Sequence, residues 1–164
     1  MMKPEVRILF ELFLAMMSGL VPGKDHTALA QANAEVVYEQ PALFKDDPNK
    51  VKTAGLVTAV QYRESGLNNE AVGDHGHSVC SMQIYDGPKS FLKDPKACVT
   101  RGVTMLLQSV RIDPENPVAF YAAGGAYLRC REDRGASVCL VAKRISADRM
   151  SLAKRLLARY AQDR

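Results

Sequence analysis

The prolines of this chain set its architecture, because they divide the sequence into lengths that suit helices and little else. Pro41, Pro48, Pro95, Pro114 and Pro117 mark breaks, and a proline that cannot continue a helix can still open one at its first position. Ala34, Val37 and Tyr38 fall at helical spacing within residues 32–44, with a break at Pro41, which predicts a short first helix. Asp46-Asp47-Pro48 supplies an N-cap and a proline start, so a second helix is expected from Pro48 to Arg63 or Glu64, with Val57, Val60 and Glu64 on one stripe. Ser65-Gly66 ends it, the glycine taking the left-handed conformation that closes helices.

Residues 68–78 carry an Asn-Asn pair, Gly73 and Gly76 without helical period, and read as a loop or a small hairpin. Val79 to Ile84 is short and uncharged, a strand or the start of a buried helix. Asp94-Pro95 opens a helix through Cys98, Val99, Gly102, Leu106 and Val110. After Pro114 and Pro117 the chain restarts as a helix over 119–126, rich in Ala and Gly, where two backbones or a backbone and a ligand can approach closely. A loop bounded by Cys130 and Cys139 follows. Ser146 is expected to cap a last helix with Met150, Ala153, Leu156, Leu157 and Tyr160 on its apolar stripe. The fold class is mainly α, with at most a small β element in the middle.

At 164 residues, 47% hydrophobic and 24% charged, the chain suits one globular domain and excludes a fibre or a disordered tail. Residues 129–164 hold ten Lys/Arg against four Asp/Glu, within a net charge of +4. A solvated helix face accounts for this basic region better than a nucleic-acid site, since no aromatic or glycine-rich nucleic-acid module accompanies it. Lys3 and Arg7 precede an apolar run from Ile8 to Val21, interrupted by Glu11, and Ala28-Leu29-Ala30 resembles a cleavage site. Residues 1–30 therefore read as a signal peptide, or, with Pro4 at its start, as an extra amphipathic helix, and residues 31–164 as the domain. No segment is long and clean enough for a stable membrane span. Cys80, Cys98, Cys130 and Cys139 form no C-x-x-C pair. Pairing of sequence neighbours, Cys80 with Cys98 and Cys130 with Cys139, would suit an exported protein, whereas reduced thiols would simply be buried.

Glu64 departs from its surroundings. A carboxylate on an apolar stripe at a helix C-terminus is pushed toward its protonated form by desolvation and by the helix dipole. Such an acid can protonate a leaving oxygen, as glycosidic bond cleavage requires. The plain alternative is an exposed glutamate paired with Arg63 or Lys52. His75 and His77 lie two apart in a loop with no further cluster to complete a zinc site, so no metal or cofactor is expected. Tyr62 and Tyr85 flank the region and could stack on sugar rings or pack in the core.

R-E-S-G-L-N at 63–68, A-V-G-D-H-G-H-S at 71–78, M-Q-I at 82–84 and A-F-Y-A-A-G-G at 119–125 resemble, in order and spacing, the motifs of soluble lytic transglycosylases and goose-type lysozymes. The likeness covers residues 32–127. It implies a lysozyme-like α+β domain, with a small β or loop element after the catalytic helix, that cleaves the β-1,4 bond between N-acetylmuramic acid and N-acetylglucosamine. Under it Glu64 is the general acid/base and Tyr121 its neighbouring tyrosine. Ser65 is the usual companion of the acid. Ser78, Met82, Gln83, Ile84 and Ala122 fall on motif positions of the sugar-binding groove.

Two positions depart from that pattern: Cys80 stands where glycine is usual, placing a side chain beside the groove, and Ala122 stands where asparagine is usual. The resemblance offers Asp74, and more loosely Asp86, as a second carboxylate, which a hydrolase needs and a transglycosylase does not. Asp74 reads better as a turn-former bonded to its own backbone. A transglycosylase is thus expected, with a lysozyme as the alternative and a non-catalytic wall-binding relative as a third possibility. The expected partner is the peptidoglycan glycan strand, for a monomer that binds no nucleic acid. The expected location is periplasmic or secreted if the N-terminal signal is real, and otherwise with a phage or a secretion machine.

Overall fold

A computed structural model describes residues 1–162. Its centre is α3 (Val51–Ser65), whose residues 53–61 are all buried. A helix covered on every side has to be surrounded by other elements rather than laid on one. α1 (Pro4–Leu20), α2 (Thr27–Glu39) and α7 (Ser137–Tyr160) pack against it, and α4 (Pro95–Ile112) packs on α2. Gly55 admits α7, for a Cβ there would sit 2.8 Å from Leu157 Cγ. Two short helices, α5 (Ala119–Ala123) and α6 (Gly125–Leu128), connect α4 to α7. The described residues are thus mainly α-helical, with one three-stranded antiparallel sheet, β1 (Val72–Gly73), β2 (Ser78–Val79) and β3 (Ile84–Tyr85), paired in the order β1-β2-β3.

Several boundaries differ from the sequence expectation, each for a local reason. α3 begins at Val51 rather than Pro48. Asp47 still serves its start, its carboxylate accepting from Lys52 N at 2.9 Å and Thr53 N at 2.7 Å, but Pro48 lies in the preceding turn. α7 begins nine residues before Ser146. Ser146 lies buried within it, and its hydroxyl accepts from Val118 N at 2.9 Å, so it satisfies the start of α5 instead of capping its own helix. Asp94 does cap α4, accepting from Ala97 N at 3.0 Å.

The expected division after residue 30 falls inside α2. α1 buries Val6, Leu9, Leu12, Phe13, Met16 and Met17 in the main core, while Glu11 stays on the outer face near Arg7 at 4.0 Å. The charge that interrupts the apolar run is therefore the polar side of an amphipathic helix. Among the described residues no helix is long and apolar enough to cross a membrane.

Two disulfides close short loops: Cys80–Cys98 ties the sheet region to the first turn of α4, and Cys130–Cys139 ties the segment after α6 to the first turn of α7. Such bonds persist in oxidising compartments. A reciprocal amide pair locks α2 to α3, with Asn33 Nδ2 donating to Gln61 Oε1 at 2.7 Å and Gln61 Nε2 donating to Asn33 Oδ1 at 2.9 Å. Both residues are fully buried, and a satisfied polar pair in a dry core fixes one register.

Candidate active site

The last turn of α3 emerges from the core at a cleft of about 760 Å³. One wall carries Glu64 with Gly73, Ser78 and Tyr85 of the sheet and Asp74 and Gln83 of its connecting turns. The other carries Met105 and Gln108 of α4 with Phe120, Tyr121, Ala122, Ala123 and Gly124. Gly66 ends α3 in the left-handed region, at φ 63°, with its N–H on the Tyr62 carbonyl at 2.9 Å. That stop leaves Glu64 in the final turn, at the edge of the buried helix.

The Glu64 side chain is 26% exposed and lies 3.4 Å, Oε1 to Nη2, from Arg149 of α7. Arg149 is 15% exposed, and its Nη1 donates to Asp148 Oδ2 at 2.8 Å. Asp148 also accepts from Arg63 Nε at 3.0 Å. The expected partner Arg63 is thus engaged with Asp148, and Arg149, 85 residues away in sequence, takes its place.

Burial raises the Glu64 pKa above the ordinary carboxylate value; the Arg149 guanidinium pulls against this through its charge and hydrogen bond, and the Asp74 carboxylate adds a smaller upward push. Desolvation prevails because the carboxylate has lost most of its water while the guanidinium is shared with a second anion. Arg149 escapes a reading of the sequence because an arginine in a basic helix reads as solvated. A signal is present all the same: it falls on the same helical stripe as Ala142, Ser146, Ala153 and Leu156, all buried.

Tyr121 enters from α5, its N–H held by Ser109 Oγ at 3.0 Å. Its hydroxyl donates to the Met82 carbonyl. Burial, reinforced by the Glu64 charge, drives its pKa upward, so it stays a neutral donor near that carboxylate without bonding to it.

The sheet wall is held in unusual backbone. Asp74, His75, Cys80, Gln83 and Asp86 all have φ between 49° and 68°, a conformation that side-chain-bearing residues adopt only when the surroundings impose it. Cys80 shows how: it takes a left-handed conformation suited to glycine, and its disulfide to Cys98 lies wholly in the core. The expectation of a side chain beside the groove is therefore corrected, since Cys80 and Cys98 are fully buried and neither lines the cleft. Gln83 Nε2 donates to the Cys80 carbonyl at 2.9 Å and the Ala71 carbonyl at 3.2 Å. Gly73 makes room for it, a Cβ there falling 2.4 Å from Gln83 Oε1.

Of the residues picked out by sequence, Glu64, Asp74, Ser78, Gln83, Tyr121 and Ala122 all line this cleft. Asp74 accepts from the Ser78 hydroxyl rather than bonding to its own backbone through its side chain. Met82 and Ile84 do not line it. Both are buried side chains of the core, Met82 filling the space left by Gly102, while Met82 reaches the site only through its carbonyl.

Ser65 Oγ lies 3.0 Å from the Gln61 carbonyl and 2.9 Å from the Ser81 carbonyl, a brace between α3 and the sheet region. Asp86 is exposed and sits 3.0 Å from His77 Nδ1, away from Glu64's cleft. Among the described residues no three His, Cys, Asp or Glu side chains gather as metal ligands. Set against protein-family models, curated proteins and solved structures, the chain matches none of them, so a functional reading rests on the chemistry of this cleft.

Proposed function

We propose that the protein is a peptidoglycan lytic transglycosylase that cleaves the β-1,4 bond between N-acetylmuramic acid and N-acetylglucosamine with Glu64 as its single acid/base. The observation that carries this is a glutamate raised toward its protonated form by burial at the wall of an open cleft. Protonated Glu64 donates to the glycosidic oxygen as the C1–O bond breaks. The carboxylate then takes the proton of the muramic acid C6 hydroxyl as that oxygen bonds to C1, closing a 1,6-anhydro ring and restoring the acid. The two disulfides accord with work outside the cytoplasm, in the periplasm or after secretion.

A hydrolytic variant has one specific support, the presence of Asp74 on the same wall as Glu64. Its carboxylate is already held by the Ser78 hydroxyl, which favours the single-carboxylate route. Glu64→Gln is expected to lower release of soluble muropeptides from purified cell walls by about 10²–10⁴-fold with unchanged circular dichroism. Full retention of release would remove Glu64 from this role. Mass analysis of wild-type products separates the reactions: 1,6-anhydro ends mark the transglycosylase, and reducing ends the hydrolase. Sedimentation with walls but no product would mark a binding protein.

A further inference from the structure

Strand register sorts the residues of the sheet into two rows. Val72, Val79 and Ile84 lie opposite one another, as do Gly73, Ser78 and Tyr85. Successive residues of a strand face opposite sides: Val79 and Ile84 are each 1% exposed in the core, whereas Tyr85 is 63% exposed. The second row, two small residues followed by an aromatic one, lines the cleft that holds Glu64. The space beside Gly73 is taken by the Gln83 amide and Ser78 is buried, so Tyr85 is the exposed member of the row.

Tyr85 is not a loose surface tyrosine. The His77 ring stacks on it, with centroids 5.6 Å apart and planes 21° from parallel. Asp86 Oδ1 lies 3.0 Å from His77 Nδ1, and Asp86 N donates to the His77 carbonyl at 2.6 Å. One ring face is therefore occupied by imidazole, in a turn whose backbone is already set by the left-handed Gln83 and Asp86. Fixing the ring beforehand removes an ordering cost from whatever binds it.

We propose that Tyr85, backed by His77, is a stacking platform for one pyranose ring of a glycan strand at the outer end of the cleft. The inference rests on the function proposed above and adds a subsite to it. A pyranose presents C–H groups on its faces and hydroxyls around its rim. An aromatic face in a cleft that the exposed Gln108 also lines offers a surface for the first and a partner for the second. A hydrocarbon ligand would desolvate the exposed Gln108 amide without pairing it.

The chain contains no tryptophan, so Tyr85→Trp in the Glu64→Gln background installs a unique fluorophore. Titration with an N-acetylglucosamine hexamer is expected to shift the emission of that indole saturably, at the dissociation constant found by calorimetry. Tyr85→Ala should weaken the hexamer by about ten-fold, the scale of one lost aromatic stack, and Tyr85→Phe should not. His77→Ala should give a smaller loss. Hexamer binding that is unchanged in Tyr85→Ala, or saturation without any change in indole emission, overturns the platform and leaves the proposed reaction standing. Absence of hexamer binding to the Glu64→Gln parent overturns both.

Discussion

The two walls of the cleft are built differently. The α3 and sheet wall is polar, carries Glu64, Asp74, Ser78 and Gln83, and is held by left-handed backbone and by Cys80–Cys98 in the core behind it. The α4 and α5 wall is regular helix with mostly small or apolar residues, Met105, Phe120, Ala122 and Ala123, together with the Gln108 amide and the Tyr121 hydroxyl. Chemistry is concentrated where the backbone is over-determined, and shape where it is relaxed. Strained conformations persist only when neighbours enforce them, so the first wall should be sensitive to distant support and the second tolerant.

The largest expected effect comes from removing the support. Cys80→Ser with Cys98→Ser should lower unfolding free energy by about 2–4 kcal/mol, read by urea denaturation, and should reduce activity further by freeing the left-handed residues of the sheet wall. The matching change at Cys130 and Cys139, a nine-residue separation in the smaller cluster, should leave activity at the cleft near wild type. Equal loss of activity in both would break the comparison.

Next is Arg149→Gln. Arg149 holds the Glu64 pKa down against burial, so its removal leaves burial and Asp74, which both push upward. The upper limb of the activity profile, where Glu64 loses its proton, should move to higher pH. Carbon-13 titration of the Glu64 carboxyl should move with it. Stability follows the same sign: folding raises Glu64 above its unfolded value, so its ionisation weakens the fold as pH climbs through that window, and the effect is absent below the unfolded value. In paired thermal melts, Glu64→Gln should accordingly gain stability relative to wild type as pH rises from about 4, near the ordinary glutamate value, toward neutrality.

The smallest effects are at Gly73 and Ala122. Gly73→Ala would push Gln83 from its carbonyl partners, for a loss of about 1 kcal/mol and a reduced kcat. Ala122→Ser, on the exposed part of the other wall, should stay within about 0.5 kcal/mol. A reversal of that order would show the helical wall to be the more constrained.

Much of this is legible in the sequence because it is local. The end of α3 at Gly66, the cap at Asp94 and the irregular stretch after Glu64 follow from short-range rules about caps, glycines and period. The disulfide partners are within reach of the same reading, since both pairs are sequence neighbours. Met82 and Ile84 mislead for the opposite reason. Their motif position says they are near the site, and they are, but the pleat of so short a sheet turns Ile84 inward, and Gly102 opens a core space that Met82 fills. Ser146 misleads because serine suits both a helix cap and a buried hydroxyl, and only its long-range partner Val118 distinguishes them.

By itself the sequence determined a mainly helical chain, a glutamate at the end of a helix with an apolar stripe, and a glycine-rich turn beside it. These follow from interactions between residues a few positions apart, whose geometry backbone periodicity dictates. Tertiary structure alone decided that α1 covers the core, that Arg149 rather than Arg63 meets Glu64 across 85 residues of sequence, and that Tyr85 faces the cleft while Ile84 does not. Those outcomes depend on which faces of separate elements meet, and burial, which moves the Glu64 pKa, exists only once they have.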